Sequence, residues 1–342
     1  MSLVDDLQQL ADGTLGRTGL SRLLLAEGAD QQLLFAWARQ ARAAAGVEAV
    51  TLRGVIEISN HCQKSCDYCA MRGPNGELER YRMDAEAILA IVGSIHAHGV
   101  PIAFLQAGQD PRSDALVEEV IPAIKARYGL QVLLCLGERP KAAYERFAAL
   151  GADSYILKFE TSDPALYEAI ARTPLARRLD CIRSLQGLGF ALGTGNIVGL
   201  PGQSLETLVD DIQLALALQP DFVSASPFIP NPSTPFEAAP CGSLALTLNT
   251  LAIYRIALKT PLIPNVSALE KLQPGGQLLG LQAGANVMTV NFTPRTFQEK
   301  FNIYSNERFV VSLQHALDTI EAAGLQRRAV LAPRPRPALL PT

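Results

Sequence analysis

No stretch of the sequence approaches the ~20 uninterrupted apolar residues that a membrane-spanning helix needs, so a transmembrane protein is not expected. The start, MSLVDDLQQL, is acidic and lacks the basic-then-apolar signature of a secretory signal. A cytoplasmic protein with reduced thiols follows as the expectation. Positive charge is also scarce. With 30 Lys and Arg against 33 Asp and Glu, the net charge is −3 and the pI is near 5.9. That argues against a nucleic-acid partner, because a phosphate-backbone binder needs a basic surface to release counterions. The G-x-G-x-x-G run of a dinucleotide fold is missing. So are internal repeats and low-complexity blocks.

What is present is apolar. Apolar residues make up 48% of the 342 and charged residues 18%, enough to bury a full core without disulfides. The length suits one large domain or two smaller ones. Residues 1–48 carry helical patterning, in VDDLQQLADG and in a Leu- and Ala-rich run over 20–45, and read as an N-terminal helical extension.

From residue 49 short β-prone runs alternate with longer amphipathic ones, the pattern of βα units around a parallel sheet. Strands are predicted over 52–59, 102–106, 132–136, 154–159, 195–198, 222–226, 262–266 and 287–291. Helices are predicted over 84–98, 112–127, 140–150, 163–187, 204–218, 244–259 and 275–283. Eight such repeats over roughly 240 residues match an α/β (β/α)8 TIM-type barrel; a doubly wound sheet is the alternative and typically has fewer strands. The barrel is expected over 49–325, and the Pro- and Arg-rich segment 326–342 reads as a disordered tail. Every notable polar cluster falls just after a predicted strand. In a barrel this is the C-terminal mouth, where active sites form.

Three of the six cysteines fall within eight residues. Cys62, Cys66 and Cys69 are spaced C-x3-C-x2-C, with Tyr68 directly before the third. Three thiolates on a short loop can hold three irons of a cubane cluster and leave the fourth without a protein ligand. That open iron can chelate the amino and carboxylate groups of a small molecule. A structural zinc would want a fourth ligand, either His61 or something distant. Chemically idle cysteines are the remaining possibility.

The triad resembles the signature of the radical SAM superfamily. Over about residues 50–325 the chain is similar to the branch that contains biotin synthase, the [FeFe]-hydrogenase maturase HydE and methylornithine synthase. HydE looks the most alike of the three. The segments that carry the resemblance are RGVIEISNHCQKSCDYCAMRG, RYRM, LQAGQDP, LGERP, KFETSDP, GNIVGLPGQSLETLVDDI, PFIPNPSTP and AGANVM. The resemblance implies a complete barrel, a [4Fe-4S] cluster on Cys62, Cys66 and Cys69, and S-adenosyl-L-methionine (SAM) on the open iron.

It also implies roles for single residues. Tyr68 would help to hold the SAM adenine, or would simply pack the loop. The run from Gln106 through Gly108 would meet the methionyl amino group, with glycine letting a ligand approach the backbone. The family's acidic residue after that glycine is Gln109 here; Asp110 either substitutes for it or caps the next helix. Glu160 would accept the ribose hydroxyls, and Lys158 shares its face of the strand; a structural Lys–Glu pair is the alternative. Arg178 resembles the arginine near the SAM carboxylate, a group that a guanidinium grips with two prongs. Ile197 would pack on the adenine. The glycines around it would be a weak signal alone.

For the substrate side, Cys135 and Ser267 are the candidates. Cys135, Cys181 and Cys241 are the cysteines open to a second cluster of the kind biotin synthase uses as a sulfur donor. Around Ser267 the chain departs from its relatives: it lacks the paired threonines of HydE and the arginine that biotin synthase places on its second cluster. His96 and His98 read as surface or packing residues. The expected function is reductive cleavage of SAM to a 5′-deoxyadenosyl radical that acts on a small-molecule substrate, as in a HydE-like enzyme of metallocofactor assembly. The alternatives are sulfur insertion into an alkyl chain, as in biotin or lipoyl formation, and a non-catalytic Fe–S or zinc scaffold. An electron donor such as ferredoxin or flavodoxin is implied as partner.

Overall fold

The computed structural model describes residues 2–259, 261–304 and 307–328. Eight strands form one sheet: β1 (Thr51–Ser59), β2 (Ile102–Ala107), β3 (Gln131–Cys135), β4 (Ser154–Ile156), β5 (Ala191–Val198), β6 (Phe222–Pro227), β7 (Pro264–Asn265) and β8 (Val287–Asn291). All neighbouring pairs are parallel, in the order β6-β5-β4-β3-β2-β1-β8-β7. The sheet curls until its ends meet. Phe222 bridges Leu262, the Val223 N–H donates to the Leu262 carbonyl at 3.1 Å, and the Leu262 N–H donates to the Asp221 carbonyl at 2.8 Å. The architecture is the expected (β/α)8 barrel.

Parallel strands need long crossovers. Helices α1 (Leu3–Asp12), α2 (Arg17–Leu24) and α3 (Gly28–Ala44) precede the barrel. The crossovers contain α4 (Ala85–Ala97), α5 (Asp114–Tyr128), α6 (Lys141–Leu150), α7 (Pro164–Ala171), α8 (Leu175–Gly187), α9 (Leu205–Leu218), α10 (Leu244–Leu258), α11 (Ser267–Leu272) and α12 (Gly276–Gln282). After β8 come α13 (Arg295–Gln298) and α14 (Leu313–Ala322). Among the described residues no helix is long and apolar enough to cross a membrane.

Strand alternation divides the apolar side chains into two sets. On β1, Leu52, Ile56 and Ile58 point outward into a large core shared with the helices. Val55 points inward and joins Ile102, Phe104 and Leu133 in a small apolar cluster inside the barrel. Leu7, Leu23 and Leu34 of the N-terminal helices belong to the outer core. The same helices are pinned by Asn249 of α10, whose Nδ2 donates to the carbonyls of Leu24 (2.8 Å) and Ala26 (2.9 Å).

The structure departs from expectation at several elements. The helix expected over 163–187 is two helices, because Pro174 offers no N–H and Arg172 sits in the left-handed region at φ 57°. The strand expected over 154–159 ends at Ile156. β5 starts at Ala191, four residues before the predicted 195, and β7 keeps only Pro264–Asn265 of the predicted 262–266. Residues 267–272 are helical without having been predicted so. At the expected tail, Val50 pairs with the chain through hydrogen bonds of 2.8 Å to Gln326 and Arg328. Residues 329–342 lie outside the described residues.

A candidate active site at the barrel mouth

The cysteine loop leaves the C-terminal end of β1 and folds across the mouth. Its close packing depends on a glycine in the neighbouring loop. A Cβ on Gly108 would stand 2.3 Å from the His61 carbonyl oxygen and 2.8 Å from Cys62 Cβ, so no other residue fits there. The Gln63 N–H donates to the Gln109 carbonyl at 2.9 Å, and the Gln109 N–H points at Cys62 Sγ at 3.4 Å. A cavity of about 400 Å³ opens beneath, lined by Cys62, Cys66 and Cys69 together with inward side chains of the strands. Burial pushes the Cys66 and Cys69 thiols above the ordinary cysteine value. They are protonated when free, and a metal would displace their protons.

The same cavity gathers Tyr68, Gln106, Lys158, Glu160, Arg178, Ile197, Cys135 and Ser267. Gly108 itself packs under the loop rather than lining the space. Lys158 Nζ lies 3.1 Å from Glu160 Oε2, yet that oxygen is buried and makes no hydrogen bond. Arg178 donates from Nε to Glu138 Oε1 at 2.9 Å and from Nη1 to the Lys158 carbonyl at 2.6 Å. The Ile197 N–H donates to the Glu160 carbonyl at 2.8 Å, and its carbonyl accepts from Gln203 Nε2 at 2.9 Å. What Ile197 presents to the cavity is therefore its side chain. Ser267 Oγ is 2.5 Å from the Tyr304 hydroxyl. Burial lifts the Cys135 thiol to about 11. Cys181 and Cys241 do not line the cavity.

Residues 56–215 match the family described as the Radical SAM superfamily. The chain is 38% identical over 257 residues to the [FeFe] hydrogenase maturase subunit HydE of Thermotoga maritima, covering 75% of this chain and 74% of that protein. The chain belongs to the radical SAM superfamily. Other radical SAM relatives include a 3-methylornithine synthase of Methanosarcina acetivorans, 28% identical over 288 residues, 82% of this chain and 79% of that one. The fold matches the crystal structure of methylornithine synthase with a TM-score of 0.83 at 23% identity, covering 96% of this chain and 97% of that one. It also matches the hydrogenase maturase HydG of Carboxydothermus hydrogenoformans with a TM-score of 0.79 at 21% identity, covering 94% of this chain and 78% of that one. These radical SAM relatives are enzymes, and so is this chain, not a non-catalytic scaffold.

The radical SAM family implies a [4Fe-4S] cluster and SAM, and the donor set suits both. A cubane meets each cysteine at a separate corner, and Cys62, Cys66 and Cys69 all line one cavity. The Glu160 carboxylate, ion-paired with Lys158, is an acceptor facing the same space.

Asp110 stands at the N-cap position of the short 3-10 turn Pro111–Ser113 but its side chain makes no capping bond there. Its carboxylate accepts from Arg82 at 2.6 and 3.0 Å, from Ser59 Oγ at 3.0 Å and from Ser113 Oγ at 2.9 Å. Burial works against its charge, but the hydrogen bonds from Arg82 and Ser113 hold its carboxyl below the usual value.

Sequence reading missed a set of charged residues deep in the radical SAM barrel. Arg53 lies under the cavity, its guanidinium 4.9 Å above the Phe104 ring. Its Nε donates to Thr289 Oγ1 at 2.6 Å, while Nη1 is buried without a partner. Burial pulls this guanidinium down to about 10. Thr194 Oγ1, also lining the cavity, is likewise unsatisfied. Glu57 and Arg308 form an ion pair between the barrel wall and the segment after β8. The signal for Arg53 and Glu57 was their parity: both share the inward face of β1 with Val55.

Proposed function

We propose that this enzyme carries a [4Fe-4S] cluster on Cys62, Cys66 and Cys69, binds SAM beside it, and acts on a small substrate bearing an anionic group. When bound, the cluster supplies the electron that cleaves SAM to methionine and a 5′-deoxyadenosyl radical. The observation that carries this reading is the single cavity onto which the three thiols and the Glu160 carboxylate open.

The chain's own residues then divide the work. Glu160 accepts the ribose hydroxyls through its carboxylate, with Lys158 Nζ 3.1 Å from Oε2. Tyr68 and Ile197 offer flat and apolar surface to the adenine. Gln106 and Arg178 lie toward the methionyl end, with Arg178 kept in place by Glu138. On the far side, Arg53 Nη1 and Thr194 Oγ1 leave unspent donors that a carboxylate would satisfy. Apolar walls from Val55, Phe104 and Ile156 exclude water from the space between the two ends.

The protein that this chain resembles at 38% identity is a hydrogenase maturase. A small thiol- or amino-acid-like substrate in metallocofactor assembly is therefore the first reading. Arg80 and Arg112, with Arg72 and Arg172 paired to Asp67 and Arg82 paired to Asp110, leave a net positive charge around the cluster loop that suits an acidic electron donor such as ferredoxin or flavodoxin. A second reading, sulfur insertion, is favoured by the Cys135 thiol in the cavity.

Anaerobic reconstitution separates these readings. About four irons per chain and dithionite-dependent release of deoxyadenosine support the proposal. A further cluster's worth of iron that disappears in Cys135→Ala supports sulfur insertion instead. Deoxyadenosine release that survives replacement of all three cysteines by alanine would refute the cluster assignment.

A further inference from the structure

Asp211, on α9, does not reach the cavity, yet it is fully buried and is the most heavily hydrogen-bonded carboxylate near it. Its Oδ1 accepts from the Ser162 N–H at 2.5 Å, from Ser162 Oγ at 2.7 Å and from Thr161 Oγ1 at 3.3 Å. Its Oδ2 accepts from Gln203 Nε2 at 2.9 Å and from Asn196 Nδ2 at 3.3 Å. One side chain thus ties the two residues after Glu160 to the end of β5 and the turn beyond it. Gln203 extends the tie to both sides of that turn, donating to the Ile197 carbonyl at 2.9 Å and accepting from the Gly199 N–H at 2.7 Å.

Between these anchors the backbone is held where it would not otherwise rest. Glu160 has φ +65°, a left-handed conformation that a non-glycine residue adopts only under constraint. β4 has already ended at Ile156, but Glu160 returns to the barrel wall to bridge Asn196. Its N–H donates to the Gly195 carbonyl at 3.1 Å, and its carbonyl accepts from the Ile197 N–H. That turn aims the Glu160 side chain into the cavity, beside Lys158 Nζ at 3.1 Å from Oε2.

We propose that Asp211 is a positioning residue for SAM binding: it clasps segment 160–162 to the end of β5 and so presents Glu160 to the ligand without touching it. This rests on the reading of Glu160 as a ribose ligand. Asp211→Asn keeps the size of the side chain but replaces one acceptor oxygen by a donor facing other donors, which loosens the clasp without emptying the site.

The test is a double-mutant cycle on anaerobically reconstituted protein: wild type, Asp211→Asn, Glu160→Ala and the pair. SAM affinity is read from the change that SAM produces in the electron paramagnetic resonance spectrum of the reduced cluster, with iron content and melting temperature measured on each sample. Each single variant is expected to weaken SAM binding about tenfold at unchanged iron content. The pair is expected to bind no more weakly than Glu160→Ala alone, because coupled residues are non-additive. Wild-type affinity in Asp211→Asn, or full additivity in the pair, overturns the positioning role. Wild-type affinity in Glu160→Ala overturns the reading of Glu160 and this proposal with it. Should Asp211→Asn fail to fold, Ser162→Ala removes one of the five donors and replaces it in the cycle. A several-fold loss absent in the Glu160→Ala background supports the clasp, and no loss overturns it.

Discussion

Glu57, on the first strand of the barrel, and Arg308, in the segment after the last, meet in two parallel hydrogen bonds of 2.6 Å each. Asn291 Nδ2 adds a third donor to Glu57 at 3.0 Å. Both side chains are at most 10% exposed. Burial pushes the Glu57 carboxyl up, and Arg308 opposes the shift. The pair fixes Arg308, which lines the cavity, against the barrel wall.

Removing one partner leaves a buried charge without compensation, which typically costs about 3–5 kcal/mol. Arg308→Ala should therefore lose stability on that scale in denaturant unfolding, whereas Glu57→Gln combined with Arg308→Met should recover most of it. Equal losses in the single and double variants would show that the contact contributes packing and not charge pairing.

Gly108 makes a different prediction. A methyl group there meets backbone, the His61 carbonyl, which cannot swing aside as a side-chain tip would. Gly108→Ala should fold, with unchanged far-ultraviolet circular dichroism, but bind well under half the iron of the wild type on reconstitution. Full iron loading would show that the cysteine loop tolerates displacement.

The barrel was legible because its determinants are local. The alternation of β-prone and amphipathic runs placed all eight strands, and the cysteine spacing placed the loop. What stayed hidden depends on contacts remote in sequence or on single backbone angles. Glu57 finds its partner 251 residues away, in a segment with no periodic pattern. β4 stops at Ile156 and Glu160 turns left-handed four residues on, and nothing in KFETSDP announces that angle. The split of the helix at Arg172–Pro174 was readable from Pro174 but was overridden by the helical pattern on both sides. Arg53 and Glu57 were visible as charges flanking Val55 on the inward face of β1; buried charges of this kind signal a filled or functional barrel interior. The network around Asp211 joins Thr161 and Ser162 of KFETSDP to Asn196, Gln203 and Asp211 of GNIVGLPGQSLETLVDDI, and neither run alone shows the tie.

Arg53 bears on the substrate. Its buried, half-satisfied guanidinium is a burden on the fold, since an ionised group without full pairing is costly in an apolar site. Arg53→Met should leave stability unchanged or raise it in thermal unfolding. It should also leave deoxyadenosine release intact while abolishing its coupling to product, measured as the ratio of deoxyadenosine to product formed. A variant that is destabilised yet fully coupled would make Arg53 a structural residue.

Asp211 offers a last check through pH. Burial outweighs the hydrogen bonds from Ser162 and raises this carboxyl from 3.8 to about 6. The folded protein then holds the Asp211 proton more tightly than the unfolded chain does. The stabilisation that comes with that proton is complete below about 3.8 and is lost as the pH rises through about 6. Asp211→Asn has no proton to lose there, so other titrating groups cancel when the two proteins are compared. The wild type should lose stability relative to Asp211→Asn as the pH rises from about 4 to about 6, with no further change above 7. Denaturant midpoints of the two proteins measured in parallel across that range decide it. A difference that is flat with pH would mean that the five donors offset burial and leave the carboxyl at the pKa of the unfolded chain, and a trend of opposite sign would mean that they pull it below that value and keep the carboxylate ionised.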